Sequence, residues 1–515
     1  MANTRLEDLR NRKAKIMLGG GAESVASQHD KGKKTARERL TLLFDPDSFV
    51  ELGGFVSSRY EEQDASSESL AGDGVITGYG TIDGRLVYAY AQDHTVLEGA
   101  LGERHANKIV KIQQLALKAG APIVTIHDSG GIRLREGIDA LAGYGKIFHQ
   151  DTIASGVIPQ ISVIMGTCAG SAVFGTAISD FIILEDASAQ MFVTGPQVVQ
   201  SVTGTEITAD ALGGAKTHSA ISGVAHIVKS GEVETLAAVK ELLSYLPSNN
   251  LEFPPREDSA DDINRLSAEL NGIISEEDTE SYEVYDVIKQ IADDGKVLDI
   301  LPDFAQNIVT CFVRIDGNAV GVVANRVKEK SGMIDIDAAN KAARFVRRCD
   351  AFNIPLLTLV DAVGFLPSVE QEKHGVILHG AKLLYAFCEA TVPKVTVVLR
   401  KALGSAYNIM CSHEAGADIV LAWPTAEIGV MDAASAAAIV FANEIKNATD
   451  PIAERAAKTL QYKTEINNPY RAAEAGYVDD VIEPSQTRQR LSSAFDMLAS
   501  KRESLPAKKH GNIPL

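Results

Sequence analysis

The chain contains an internal repeat of about 230 residues, and no other feature limits its possible folds as much. Three pairs of segments match in the same order: 77–93 with 310–326, 107–131 with 340–364, and 154–175 with 388–409. The paired segments are offset by 233 or 234 residues; for example, IDG recurs at Gly84 and Gly317. Solenoid repeats are only about 20 to 50 residues long. A domain-sized period therefore predicts a tandem duplication, with two domains of one fold.

Within each copy, short apolar segments alternate with segments of helical periodicity. Residues 103–119 place apolar side chains at helical spacing between lysines and glutamines, and PIVTIHD (122–128) is a short β-branched segment before glycines. Such segments are typical of buried parallel strands, and the alternation predicts an α/β fold built of β-α-β units. A Pro- and acid-rich connection places the boundary near Pro254 and Pro255. The predicted domains are therefore 1–254 and 255–515.

Composition limits the classes of partner. The 515 residues are 45% hydrophobic and carry a net charge of −18, which argues against binding to nucleic acid or to an anionic membrane. The five cysteines are scattered without a C-x-x-C pair, so we expect no disulfide framework and no zinc ribbon. The charged N-terminus lacks the apolar region of a signal peptide, and no 18-residue apolar segment occurs. We therefore expect a cytoplasmic protein.

Both copies contain a strand, a turn of small residues and a helix start. The turns are Ala169-Gly170-Ser171-Ala172 and Leu403-Gly404-Ser405-Ala406, each after a strand that a proline precedes. The first backbone N–H groups of a helix have no intrahelical acceptor, and small side chains let a substrate atom approach them. These turns are thus candidate oxyanion holes. The alternative is that small residues serve only close packing of helix on strand.

Other chemistries find less support. Ser171 and Ser405 do not lie in G-x-S-x-G, and no matching His or Lys accompanies them. Cys168 is more typical of a small core residue than of a thiolate. CSHEAGAD (411–418) lacks the H-E-x-x-H spacing, and no P-loop sequence occurs, so we expect neither a metal site nor direct use of ATP. No acid–base pair of side chains stands out.

The duplicated motifs identify a family. GDGVITGYGTIDGR, DIDAANKAARFVRRCDAFNIPLLTLVDAVGFLP and HGAKLLYAFCEATVPKVTVVLRKA resemble the carboxyltransferase subunits of biotin-dependent acyl-CoA carboxylases. The propionyl-CoA carboxylase β-subunit and the methylmalonyl-CoA decarboxylase α-subunit are the most similar types. The resemblance covers nearly the whole chain. It implies two crotonase-like domains per chain, a homo-oligomer of hexamer type, and an enzyme that transfers a carboxyl group between carboxybiotin and the α-carbon of a short acyl-CoA.

The resemblance also implies site residues. Gly170 and Ser171 match the pair that holds the thioester carbonyl as an enolate forms, and Ser405 and Ala406 match the pair that holds the ureido carbonyl of biotin. Further positions match substrate- and cofactor-binding residues: Gly130, Gly131, Arg133, Gly364, Phe365, Tyr407 and Asn408. The first domain would then face acyl-CoA and the second would face biotin.

The implied biotin must come from elsewhere, because the chain has no E-A-M-K-M-like acceptor sequence. The expected partners are a biotin carrier with a biotin carboxylase, or membrane subunits of a sodium-pumping decarboxylase. The chain departs from its relatives at Ser171 and Ser405, where glycine is usual, and at Glu98, also a glycine position. The departures at Ser171 and Ser405, with a further one at Asp432, leave a non-catalytic scaffold paralogue as an alternative to the carboxylase and the decarboxylase.

Overall fold

The computed structural model describes residues 2–59, 72–275 and 281–514. The chain forms two compact units, Met1–Phe253 (unit 1) and Pro254–Leu515 (unit 2). Across these described ranges, no helix is both long enough and apolar enough to cross a membrane.

Unit 1 is a layered α/β structure. Its described strands are β1 (Val50–Leu52), β2 (Val75–Ile82), β3 (Arg85–Gln92), β4 (Ile123–His127), β5 (Gln160–Ile164), β6 (Thr167–Ala169), β7 (Phe181–Glu185), β8 (Gln190–Phe192) and β9 (Ile227–Lys229). Its described helices are α1 (Ala2–Met17), α2 (Ala22–Asp30), α3 (Ala36–Leu43), α4 (Glu103–Ala119), α5 (Ile138–Ala154), α6 (Ala172–Ile178), α7 (Pro196–Thr203), α8 (Ala209–Gly213), α9 (Ala215–Ala220) and α10 (Glu232–Ser244).

Unit 2 repeats this plan. Its described strands are β10 (Leu298–Asp299), β11 (Ile308–Ile315), β12 (Asn318–Asn325), β13 (Leu356–Ala362), β14 (Lys394–Leu403), β15 (Ile419–Ala422), β16 (Glu427–Gly429) and β17 (Asp480–Val481). Its described helices are α11 (Val284–Ile291), α12 (Ile336–Ala351), α13 (Val369–Lys373), α14 (Val376–Glu389), α15 (Ser405–Ile409), α16 (Ala433–Val440), α17 (Ala442–Asn447), α18 (Pro451–Glu465), α19 (Pro469–Glu474) and α20 (Thr487–Leu498).

The two sheets have the same topology. In unit 1 the strand order is β1-β2-β3-β4-β5-β7-β9, and in unit 2 it is β10-β11-β12-β13-β14-β15-β17. The first three strands of each sheet are antiparallel, and the remaining neighbours are parallel. Every residue of β4, β5 and β7 is buried, as expected for parallel strands with both faces covered. The predicted strand–helix–strand alternation is confirmed, including α4 at 103–119.

The repeat is visible in the backbone itself. Each copy has an IDG hairpin whose Asp and Gly both take positive φ, 50° and 73° at Asp83 and Gly84, and 51° and 73° at Asp316 and Gly317. This left-handed pair gives the turn the twist that an antiparallel hairpin needs. The matched residues Glu98 and Ser331 both have φ 53°. The duplication therefore reproduces even strained turns.

The copies differ where the central parallel strand ends. In unit 2 that strand, β14, runs unbroken from Lys394 to Leu403 and pairs with both β13 and β16. In unit 1 the equivalent segment is split into β5 and β6, with the break at Met165 and Gly166. Both versions lead into the predicted small-residue turn and a short helix, α6 or α15, so both predicted strand–turn–helix devices are confirmed.

Candidate active site

A cavity of about 840 Å³ lies over the turn at the end of β14. Four of its lining residues are Gly404, Ser405, Tyr407 and Asn408, all of which the sequence singled out. The other walls include apolar side chains, contributed by Ile428, Val430, Ile466 and Tyr477. Concave sites with apolar walls and a few fixed polar groups are typical of ligand pockets. Unit 2 therefore brings its predicted turn residues together in one open site.

Backbone hydrogen bonds decide which amides of this turn are available. Gly404 has φ 59° and ψ −143°, a conformation that favours glycine, and its N–H donates to the carbonyl of Gly429 at 2.9 Å. The amides of Ser405 and Ala406 have no hydrogen-bond acceptor within the described residues. These two adjacent donors begin α15, where the helix dipole favours negative charge. The turn can therefore bind an anionic or strongly polarised oxygen.

The polar side chains of the cavity are held by their own partners. The Tyr407 hydroxyl donates to Glu414 Oε2 at 3.2 Å, and the Ser412 hydroxyl donates to Asn408 Oδ1 at 3.0 Å. Burial, helped by the Glu414 carboxylate, raises the pKa of Tyr407 above its ordinary value. Tyr407 is thus a neutral hydrogen-bonding group at neutral pH, and no candidate for a proton-abstracting phenolate.

The loop after β13 carries Gly364 and Phe365. Gly364 has φ 146°, and a Cβ atom there would meet nothing within 4 Å, so the loop is open at this point. The amide of Ile334 donates to the Gly364 carbonyl at 3.1 Å, and the amide of Leu366 donates back to the Ile334 carbonyl at 2.8 Å. These bonds fix the loop on both sides of Phe365, whose ring packs against Gly380 of α14.

Unit 1 repeats the backbone hydrogen bonds of the turn and of the glycine loop. Gly170 has φ 68°, and its N–H donates to the carbonyl of Phe192 at 3.0 Å, as Gly404 does to Gly429. Gly131 has φ 109°, and its carbonyl accepts from Leu101, while the Arg133 amide donates to the Leu101 carbonyl. The glycine loop after β4 is therefore held like the loop after β13.

One implied donor needs correction. Because the Gly170 amide is already bonded to Phe192, it is not free to hold a substrate oxygen. The amides of Ser171 and Ala172 have no acceptor within the described ranges, and they match the Ser405 and Ala406 amides of unit 2. The available pair in unit 1 thus lies one residue further along the chain than the implied pair.

Arg133 also has a different role from the implied one. Its side chain is 5% exposed, and Nη1 donates to Asp73 Oδ1 at 2.5 Å and to Glu136 Oε1 at 3.2 Å. Nη2 donates to the Asp73 carbonyl at 3.1 Å. The guanidinium therefore anchors the chain beside the glycine loop within the protein, and it is not presented to a ligand.

The side chains near the turns provide no nucleophile. The hydroxyls of Ser171 and Ser405 have no hydrogen-bond partner within the described residues, so no base activates them. Burial raises the pKa of the Cys168 thiol to about 12. In the part of the chain that the structure describes, no group of three His, Cys, Asp or Glu side chains is arranged to hold a metal ion.

Two buried carboxylates lie next to the glycine loops and were not among the predicted site residues. Asp128 and Asp361 are 0% and 1% exposed. Asp128 directly follows β4, and Asp361 is the last but one residue of β13, so each lies just before a glycine loop. Each amide donates to a matched side-chain amide oxygen, Gln92 Oε1 at 3.3 Å and Asn325 Oδ1 at 3.2 Å. The signal was present, because the two aspartates occupy equivalent positions of the repeat.

Comparison with known proteins identifies the family. The family model described as "Carboxyl transferase domain" matches residues 27–513. The chain belongs to the carboxyl transferase family. The α-subunit of methylmalonyl-CoA decarboxylase from Veillonella parvula is 53% identical over 511 residues, covering 99% of both chains. The carboxyltransferase subunit of propionyl-CoA carboxylase from Haloferax mediterranei is 49% identical over 511 residues, again covering 99% of both.

A solved structure gives the same answer for the fold. The transcarboxylase 12S subunit, crystallised as a hexamer with methylmalonyl-CoA, superposes with a TM-score of 0.97 at 49% identity and covers 100% of this chain and 99% of its own. The predicted family and the crotonase-like α/β fold are confirmed. This carboxyl transferase is accordingly an enzyme of the type found in biotin-dependent acyl-CoA carboxylases.

Proposed function

We propose that this chain is the carboxyltransferase subunit of a biotin-dependent acyl-CoA carboxylase, acting on a short acyl-CoA such as propionyl-CoA or acetyl-CoA. The observation that carries the proposal is the repeated turn, where each unit has two adjacent amides without an acceptor among the residues that the structure describes. Carboxyl transfer to an α-carbon develops negative charge on two carbonyl oxygens, one on each reactant. Fixed N–H donors stabilise such charge, and removing one costs about 10²- to 10³-fold in rate.

Unit 2 is the proposed biotin side. The cavity of about 840 Å³ offers an open turn, apolar walls and the Ser405 and Ala406 amides, which have no partner among the described residues. Together they fit a ureido ring with one carbonyl oxygen. When bound, biotin supplies the nitrogen that carries the carboxyl group. Ser405 and Ala406 would hold the ureido oxygen, while Tyr407, Asn408 and Phe365 would shape the walls.

Unit 1 is the proposed acyl-CoA side. The Ser171 and Ala172 amides would hold the thioester oxygen, and the loop of Gly130 and Gly131 would approach the acyl group closely because its backbone carries no side chain there. Arg133 supports this loop through its bonds to Asp73. No side-chain base is required of this chain in the proposal, which agrees with the protonated state of Tyr407.

The decarboxylase is the second candidate. Two relatives named methylmalonyl-CoA decarboxylase subunit alpha, from Propionigenium modestum and Veillonella parvula, are 52% and 53% identical to this chain. The same transfer chemistry run in reverse would then load biotin from the acyl-CoA, and membrane subunits would consume the carboxyl group. The proposed partners are therefore either a biotin carrier with its carboxylase or such membrane subunits. In both cases we propose a cytoplasmic homo-oligomer, a hexamer like the transcarboxylase 12S core.

The test is a transfer assay on the purified chain. Malonyl-CoA and methylmalonyl-CoA are offered in turn with free biotin as carboxyl acceptor, and loss of the carboxyl group is followed spectrophotometrically. Biotin-dependent turnover that a bulky residue at Ser405 abolishes supports the carboxyltransferase. Absence of turnover in a folded, oligomeric preparation supports the scaffold alternative. Reconstitution with an ATP-dependent biotin carboxylase, against sodium-pumping membrane subunits, then separates the two directions.

A further inference from the structure

The carboxylate of Asp128 lies in a buried cage of cations that the N-terminal segment provides. Lys33 Nζ donates to Asp128 Oδ1 at 2.7 Å, and Arg39 Nη1 donates to Asp128 Oδ2 at 2.9 Å. Gln28 Nε2 adds a contact of 3.4 Å to the same oxygen. Arg39 and Asp128 are both 0% exposed. A buried ion pair of this kind is costly to break, because the remaining charge would be left without a partner.

Arg39 is itself held by a second carboxylate and by the strand that leads to the turn. Its Nε and Nη2 donate to the two oxygens of Glu232 at 3.1 and 2.5 Å, and Nη2 also donates to the Met165 carbonyl at 3.1 Å. Met165 lies between β5 and β6, four residues before the Ser171 turn begins at Ala169. One guanidinium therefore joins the carboxylate under the glycine loop to the segment that carries the turn.

In unit 2 the equivalent carboxylate is bonded to different residues. Asp361, the counterpart of Asp128, accepts from Arg400 Nε at 3.0 Å, from the Lys401 amide at 3.1 Å and from the Tyr282 hydroxyl at 3.0 Å. Here the cation comes from β14 itself, three residues before the strand ends at Leu403. Both units thus tie the aspartate that precedes the glycine loop to the segment that precedes the turn.

One pair of equivalent repeat positions accounts for the different cations in the two units. Arg400 of unit 2 corresponds to Gly166 of unit 1. A Cβ atom at Gly166 would lie 2.0 Å from Asp128 Oδ1 and 2.7 Å from Lys33 Nζ, so a side chain there would displace the cage. Glycine at 166 therefore makes room for cations that come from outside the repeat.

We infer that Asp128 and Asp361 are positioning residues, each locking its glycine loop against its turn, and that residues 28–39 are part of the unit-1 site because they neutralise Asp128. The inference rests on the proposed function for the identity of the two ligands. It assigns a role to a basic segment that lies outside the duplicated fold and that the transfer chemistry by itself does not use. The N-terminal segment is accordingly a component of the acyl-CoA side.

The experiment compares Asp128→Asn, Lys33→Met and Asp361→Asn in the full-length chain. Two ligand readouts are used: the Kd of propionyl-CoA measured without biotin, and the KM of free biotin in the transfer assay. We expect Asp128→Asn and Lys33→Met to weaken propionyl-CoA binding about 10- to 100-fold, a misplacement effect, with the biotin KM unchanged. Asp361→Asn should raise the biotin KM and leave propionyl-CoA binding unchanged. Equal effects on both ligands, or none, would overturn the inference.

Hydrogen–deuterium exchange provides a readout that does not depend on the ligands. Asp128→Asn and Lys33→Met should speed exchange at residues 129–133, and Asp361→Asn at 362–366. Arg85→Met is the matched control, because the Arg85 guanidinium donates to the carbonyls of Leu246 and Leu243, away from the cage. It should lower the melting temperature without changing exchange at 129–133. If the wild type neither binds propionyl-CoA nor transfers, the proposed function fails, while the exchange pattern still decides whether the aspartates lock the loops.

Discussion

The amide of Gly404 donates to the carbonyl oxygen of Gly429 at 2.9 Å, which leaves the Ser405 and Ala406 amides as the unpaired donors of that turn within the described residues. The bond matters because Gly429 belongs to β16, which pairs with the end of β14 and fixes the turn from one side. A positive φ at Gly404 then directs the chain into α15. The donors are therefore set by the sheet before any ligand arrives.

Substitution at Ser405 should show whether these donors act in catalysis. Ser405 is exposed in the cavity, so a leucine there folds but fills the space in front of the Ser405 and Ala406 amides. We expect Ser405→Leu to lower the rate of carboxyl transfer to free biotin about 10²- to 10³-fold, the effect of losing an oxyanion donor. Ser405→Gly, which leaves the space in front of both amides open, should stay close to wild type. Equal rates for leucine and glycine would remove this turn from the mechanism.

Tyr407 should have no role as a base. Its pKa lies above the ordinary value because the side chain is partly buried and its hydroxyl faces the Glu414 carboxylate, so the phenol stays protonated. We expect the pH–rate profiles of wild type and Tyr407→Phe to have the same shape from about pH 6 to 10. The variant should lose about 1 kcal/mol of stability with the hydrogen bond to Glu414. An alkaline limb present in the wild type and lost in the variant would contradict this assignment.

Asp151 should make the stability of the protein depend on pH. Burial raises its pKa from 3.8 to about 7, although Gln113 donates to its Oδ1 at 2.6 Å. At a pH below the pKa of 3.8 that Asp151 has in the unfolded chain, the protonated carboxyl group makes its full contribution to stability. This contribution is lost as the pH rises through the folded-state pKa of about 7. Asp151→Asn carries no charge at either pH. The free energy of unfolding of the variant minus that of the wild type should therefore increase by on the order of 2 kcal/mol from about pH 5 to about pH 8.

Chemical denaturation of the two proteins at both pH values checks this difference. The comparison at the lower pH serves as the control, because the wild-type carboxyl group is then largely protonated and resembles the amide. A difference that does not change with pH would mean that Asp151 is ionised in the folded protein.

Glu98 should carry backbone strain that glycine would relieve. It has φ 53°, a left-handed conformation that costs a non-glycine residue about 1 to 2 kcal/mol, against the greater chain entropy of glycine. We expect Glu98→Gly to raise the free energy of unfolding by up to about 1 kcal/mol. Because a Cβ atom at Gly130 would lie 2.8 Å from Glu98 Oε2, the variant also opens space beside the glycine loop.

Ser331→Gly is the matched control for Glu98. Ser331 has the same φ of 53° at the equivalent position of unit 2, so it should give the same gain in stability. Only Glu98→Gly should change the affinity for propionyl-CoA, since only Glu98 lies beside the proposed acyl-CoA loop. If Ser331→Gly also changed the affinity for propionyl-CoA, the assignment of acyl-CoA to unit 1 and biotin to unit 2 would be contradicted.

Features that depend on neighbouring residues could be predicted from the sequence. The hairpins follow from IDG, α4 follows from its apolar spacing, and both small-residue turns follow from glycine and serine at the ends of buried strands. Helix α3 begins after a capping box between Thr35 and Glu38, which lie three residues apart in the sequence. In each case the interactions that decide the structure lie within a few residues of each other.

The roles of particular groups needed the tertiary structure. Whether Arg133 faces a ligand depends on Asp73, 60 residues earlier, and whether the Gly170 amide is free depends on Phe192, on another strand. The sequence around the glycine loop is the same whether the arginine faces a ligand or is bonded within the protein. The cage around Asp128 combines residues from the N-terminal segment with α10, nearly 200 residues away.

The sequence by itself therefore determined the duplication, the α/β class, the turns and the family, because hydrophobic period, turn chemistry and the repeat are recorded locally along the chain. The tertiary structure decided which amides are unpaired, which cation serves which carboxylate and which side chains line the cavity. The physical reason is that hydrogen bonds and ion pairs act over about 3 Å in space. Their partners are selected by how the strands pair and the helices pack, which no short stretch of sequence specifies.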